Sequence, residues 1–131
     1  MWLLAARVLL FAVPFPRLAK WFGQFTPPIG ESARLQREDV PAAETNAAEA
    51  IGWAVTRAAR HVPFRAVCLP QAIAAKAMLS RRGVKSVMHF GAAKGTSQEK
   101  PLETHAWLDA AGVEVTGYPV AQQFTEIGCF V

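Results

Sequence analysis

The sequence predicts an α+β domain in which helices come first and a small antiparallel sheet follows. Three observations carry this reading. Ile51, Ala54, Val55, Ala58 and Val62 recur at helical spacing. A second helical stretch opens near Cys68, with Pro70 in its first turn, and closes on Arg81, Arg82 and Gly83. From Val84 the rhythm changes to short apolar runs punctuated by glycine, the signature of strands and hairpins.

The elements follow in chain order. Met1 to Phe15 is strongly apolar, with Arg7 as its one charge, and Pro14 and Pro16 stop it abruptly. It is shorter than the roughly 20 residues a membrane-spanning helix needs, and it lacks the basic start and small-residue cleavage site of a signal peptide. The reading is a helix packed on the domain or a partner, with attachment to a membrane surface as the rival. A second short helix is expected around Leu18, Trp21 and Phe22, beyond the proline kink. Gly23 to Glu44, with three prolines and many charges, reads as a connecting loop.

The helix that follows is expected to begin at Asn46, with Glu49 reaching back in a capping box, and to end at Pro63. In the next helix Cys68, Ala72, Ala75 and Leu79 share a face. Arg81 and Arg82 complement its C-terminal dipole, and Gly83 caps it. Strands are expected at Val84 to Phe90, Leu102 to Asp109 and Val113 to Tyr118. The first two are joined by a polar loop from Ala92 to Pro101, and the last two by a turn at Ala110-Ala111-Gly112. The tail after Pro119 is weakly patterned.

The 131 residues suit one domain: residues 1–44 as helical segment and linker, residues 45–131 as the core. Hydrophobic residues make up 52% and charged residues 18%, which argues against disorder. The net charge of +4 is spread along the chain, with no dense basic run or aromatic-interleaved stripe. That pattern argues against nucleic acid as a partner. Two distant cysteines do not make a disulfide scaffold, and free thiols in a reducing cytoplasm are the simpler account.

Cys68 is the first candidate for chemistry. At the opening of a helix, unpaired backbone N–H groups favour a thiolate and can also hold an oxyanion. The competing role is that of a small buried hydrophobe. His105 is the second candidate, on a strand whose alternation points it the same way as Trp107 and Asp109. A histidine base beside a thiolate is the usual pair for nucleophilic cysteine chemistry. His61, at a helix C-terminus, reads as structural, while His89 on the neighbouring strand stays open as a site residue. Cys68, His89 and His105 have ligand chemistry for a metal, but no zinc-type spacing accompanies them, so neither metal nor cofactor is expected. A third member should orient His105. Asp109, four residues along the same strand, would stand about 13 Å away. Across the hairpin the opposite position falls on Gly117 or Tyr118, depending on the turn, so the acid comes from elsewhere or is absent.

Four pieces in order carry a family resemblance: Cys68-Leu69-Pro70-Gln71-Ala72, Arg82-Gly83-Val84, His89-Phe90-Gly91 and His105-Ala106-Trp107. Together they resemble the leader peptidase of lasso-peptide biosynthesis, a cysteine protease of the transglutaminase-like superfamily. The resemblance implies a papain-like core, with Cys68 as nucleophile opening a helix and His105 as base on a sheet strand. It places the family's third residue, an aspartate, about where Gly117 stands, so the chain departs there and Asp109 is left as a substitute. It further implies hydrolysis at the leader–core junction of a ribosomally made precursor peptide. The partners implied are a separate leader-binding (PqqD-like) protein and an ATP-dependent lasso cyclase, with the first helix as a docking surface. A scaffold without turnover and an acyl transferase using the same Cys-His pair are the rivals.

Overall fold

The structure is a computed structural model that describes residues 2–14, 17, 20–21, 23, 25–27, 41–61, 68–95, 97–99, 101–120 and 122–130. Its elements are α1 (Trp2–Ala12), β1 (Phe25–Thr26), α2 (Ala42–Ala59), α3 (Cys68–Arg81), β2 (Ser86–Lys94), β3 (Leu102–Ala110), β4 (Val113–Thr116) and β5 (Thr125–Phe130). The helices-then-sheet order expected for an α+β domain is the order found. The expected second short helix lies largely outside the described residues. α2 ends at Ala59 with Arg60 as its C-cap, short of the expected stop at Pro63.

α2 buries Ala48, Ile51, Gly52 and Val55, a spacing of three, one and three residues that keeps one stripe on the core. It begins four residues before the expected Asn46. Pro41 occupies the cap position with no side-chain cap bond, and its carbonyl takes the N–H groups of Glu44 at 3.0 Å and Thr45 at 3.3 Å. Proline at the entry already has a suitable φ, so the Asn46–Glu49 capping box is not what starts this helix.

α3 ends as the sequence implies. Gly83 has φ +71; its N–H bonds to the Ser80 carbonyl, and the Val84 N–H bonds to Leu79, both at 3.0 Å. This is the Schellman arrangement, and Leu79 and Val84 make the buried apolar contact that accompanies it. Lys76 ties the helix to β2, its Nζ donating to the Ser86 carbonyl at 3.1 Å and to Ser86 Oγ at 3.2 Å. Burial holds its pKa below the usual lysine value.

The strands form one antiparallel sheet in the order β1-β5-β2-β3-β4. Four strands differ from expectation. β1 lies in the segment expected as a connecting loop, and β4 stops at Thr116 instead of Tyr118. β2 runs on to Lys94 through residues expected to begin a loop, because Gly91 to Lys94 find partners on β3. The weakly patterned tail becomes β5, an inner strand between β1 and β2; neighbours on both sides, not alternation, make it a strand. The turn between β3 and β4 has two residues, Ala111 and Gly112, with φ of +52 and +74. Two positive φ values match the twist of a tight hairpin.

One face of the sheet lies on the helices. Met88 of β2, Ala106, Leu108 and Ala110 of β3, and Phe130 of β5 join Ile51, Val55, Ala72, Ile73, Leu79 and the α1 residues Leu3 and Ala6 in a common core. α1 is thus packed on the domain, with Trp2 under the Arg81 guanidinium at 5.3 Å. No helix among the described residues is long and apolar enough to cross a membrane.

Candidate functional site

Side chains alternate across a strand, so the residues between the core positions turn to the sheet's second face. On β3 these are His105, Trp107 and Asp109, and on β2 Val87, His89 and Gly91. Ring contacts agree with this. Trp107 stands between two histidines, stacked on His89 at 5.6 Å and on His105 at 5.8 Å. Phe124, in the connection from β4 to β5, lies 5.3 Å from His105 on its far side.

His105 is oriented by the backbone. Its Nε2 lies 2.7 Å from the Gly117 carbonyl. A carbonyl only accepts, so Nε2 carries the hydrogen and Nδ1 keeps its lone pair. Gly117 has φ +80, and a Cβ there would fall 2.4 Å from the Ala106 carbonyl. The residue that takes the orienting role is therefore one that must lack a side chain. Sequence reasoning looked for a carboxylate at this place and could not see a carbonyl, which every residue possesses.

Asp109, the substitute acid, serves a different histidine. Its Oδ2 accepts from His89 Nε2 at 2.8 Å, and its Oδ1 accepts from the Tyr118 hydroxyl. On the other side of the ring, His89 Nδ1 lies 2.5 Å from Glu126 Oε1. His89 is buried, with Asp109 also buried and Glu126 partly open. Burial pulls the imidazole pKa down. The two carboxylates, through hydrogen bonds and charge, outweigh it and raise the value above that of a free histidine. A carboxylate at each ring nitrogen favours the doubly protonated imidazolium of His89.

Cys68 begins α3 and is half-buried. It packs against the helix-side core to which Ala106 and Leu108 belong. His105 points to the sheet's second face. No contact between Cys68 and His105 is among those described. What the structure does assemble is a second polar constellation: His89, Asp109, Tyr118 and Glu126, with the buried thiol of Cys129 beside it. His89 was an open candidate from sequence. Tyr118, Glu126 and Cys129 were not, since no local pattern links the tail to β2.

No curated protein and no solved structure matches this chain. A family model described as the transglutaminase-like superfamily matches residues 9–129, and by that match the chain belongs to this superfamily, whose members are commonly cysteine peptidases or acyltransferases.

Proposed function

We propose that the chain is a cysteine peptidase that removes the leader from a lasso-peptide precursor, with Cys68 as nucleophile and His105 as base. The observation that carries the reading is the tautomer of His105: Nε2–H is held by the Gly117 carbonyl at 2.7 Å, so Nδ1 has its lone pair free to take a proton. Membership of a superfamily of cysteine-type enzymes supports it, as does the position of Cys68 in the first turn of α3.

In this mechanism Nδ1 takes the thiol proton as sulfur attacks the scissile carbonyl. Backbone N–H groups at the start of α3 would face the developing oxyanion. The proton passes to the leaving amine, and water then hydrolyses the thioester. The reading carries one requirement: in the competent state the thiol must meet Nδ1. A leader-binding protein of the PqqD type and an ATP-dependent cyclase are the partners this reading calls for, in the cytoplasm, with the first helix of the chain as a docking face.

The test is a mixture of precursor, leader-binding partner and this chain, read by mass spectrometry. Cys68→Ala and His105→Ala, both folded by circular dichroism, are expected to abolish the leader-cleaved product. Cleavage that survives Cys68→Ala removes the nucleophile assignment, and transfer of the acyl group to an added amine without hydrolysis would place the chain among acyltransferases.

Gly117, standing where the resemblance expects an aspartate, favours a second reading, a partner-binding module without turnover. Iodoacetamide at neutral pH discriminates. Rapid labelling of Cys68 belongs to the peptidase, and labelling no faster than that of the buried Cys129 belongs to the module.

A further inference from the structure

We propose that His89, Glu126 and Cys129 bind one thiophilic divalent cation of the zinc class. One ligand atom from each residue (imidazole nitrogen, carboxylate oxygen and thiol sulfur) lies within 4.8 Å of the other two. Nitrogen, oxygen and sulfur are the three donor types zinc accepts.

The strand ladder shows how the donors come to share a face. Glu126 and Cys129 are three residues apart on β5, and in a regular strand an odd separation points side chains to opposite faces. Here the register breaks: Phe90 pairs with Gly128 while the next residue, Gly91, pairs with Glu126. Ile127 is the extra residue of a β-bulge, and it is left exposed. The bulge restores parity, so Glu126 joins Cys129 on the face of His89, which pairs directly with Cys129. Without the bulge one of the three donors would point into the helix-side core.

The surroundings are those of a metal-binding imidazole. His89 Nδ1 faces the other two donors, while Nε2 donates to Asp109 at 2.8 Å and Asp109 is held in turn by Tyr118. A ligating histidine characteristically gives its second nitrogen to a carboxylate, which fixes ring and tautomer. His89 and Cys129 are buried and Glu126 is partly open, so the cation enters from the Glu126 side. Bonds of about 2.0–2.3 Å leave ligand atoms roughly 3–4 Å apart. The Nδ1–Oε1 pair, now 2.5 Å apart, opens slightly and the sulfur closes in. On binding, the Nδ1 proton and the thiol proton leave to solvent. The Nδ1–Glu126 hydrogen bond and the Cys129 thiol's bond to the Pro27 carbonyl at 3.9 Å are replaced by three metal bonds, and a water fills the fourth position.

Cobalt(II) is the probe, added to the chelator-stripped full chain. The chain has two cysteines, so in Cys68→Ser any thiolate-to-cobalt charge-transfer band belongs to Cys129. The expected result is that band at one equivalent of cobalt in Cys68→Ser, reversed by one equivalent of zinc. The same one-to-one zinc binding is expected in His105→Gln. Asp109→Asn is expected to weaken zinc binding by about 10–100-fold, and Cys129→Ser to abolish the band. A Cys68→Ser protein that shows no thiolate band, or takes up cobalt only at many equivalents, overturns the proposal and leaves His89 as an imidazolium between two carboxylates. Loss of binding in His105→Gln with retention in Cys129→Ser would overturn it as well. None of these readouts depends on peptide cleavage.

Discussion

His105 Nε2 donates to the carbonyl of Gly117 at 2.7 Å. A peptide group holds this histidine. A carbonyl fixes the ring and its tautomer but carries no full charge to stabilise an imidazolium. Orientation is therefore supplied in this chain, while the electrostatic share of the usual triad is not. Asp109, four residues along the same strand, is engaged by His89 and Tyr118.

Gly117→Ala tests that relationship. The new Cβ would sit 2.4 Å from the Ala106 carbonyl and 2.8 Å from Trp107 Cα, at a φ of +80. Strain of this kind costs about 1–3 kcal/mol, so urea unfolding should show a stability loss of that order, with leader cleavage falling alongside it. A variant as stable as the parent and equally active would mean that the carbonyl does not hold His105.

Asp109→Asn separates two roles for the carboxylate. Because Asp109 is buried against His89 and Tyr118, its loss weakens a charge-assisted hydrogen bond and should destabilise the fold by roughly 1–3 kcal/mol. If Asp109 served His105 instead, activity would collapse at unchanged stability. Denaturation midpoints and cleavage rates measured on the same preparation decide between them.

His89 makes stability depend on pH. Its folded pKa is raised above the ordinary 6.5, so the folded state binds the proton more tightly than the unfolded chain. The contribution is fully present below about pH 6.5 and is lost as pH rises through the folded value. Unfolding free energy of the chelator-stripped protein should therefore decline across the range above pH 6.5, and His89→Gln should flatten that segment. An unchanged slope in His89→Gln would assign it to another group.

Leu108→Ala probes the helix-facing side of β3. Leu108 is fully buried at the centre of the core shared by helices and sheet. Truncation leaves a cavity and should cost about 2–5 kcal/mol. Leu102, on the same strand but exposed, should tolerate alanine within about 0.5 kcal/mol. Thermal unfolding of the two variants gives the comparison, and similar losses at both positions would contradict the described burial.

Much of this molecule was legible before any coordinates. Gly83 after Arg81-Arg82 announced the end of α3, since only a residue at ease with positive φ can close that turn. Alternation along β3 placed His105, Trp107 and Asp109 together, and their shared face is where the rings stack. Other features had no local sign. Pro41 begins α2 ahead of a capping box that looked sufficient at Asn46, because its fixed φ suits helix entry and its carbonyl takes the N–H groups of Glu44 and Thr45. β5 looked featureless, since a strand with a neighbour on each side is specified by those neighbours.

Sequence by itself determined the helix-then-sheet order, the start of α3 at Cys68 and the orientation of the β3 side chains, because spacing, glycine and proline act within a few residues. Tertiary structure alone decided that the Gly117 carbonyl holds His105, that Asp109 and Glu126 flank His89, and that a bulge at Ile127 turns Glu126 toward Cys129. Those contacts join strands that are distant along the chain. Their register is set by how the sheet packs as a whole, and a shift of one residue would turn each of these side chains to the other face.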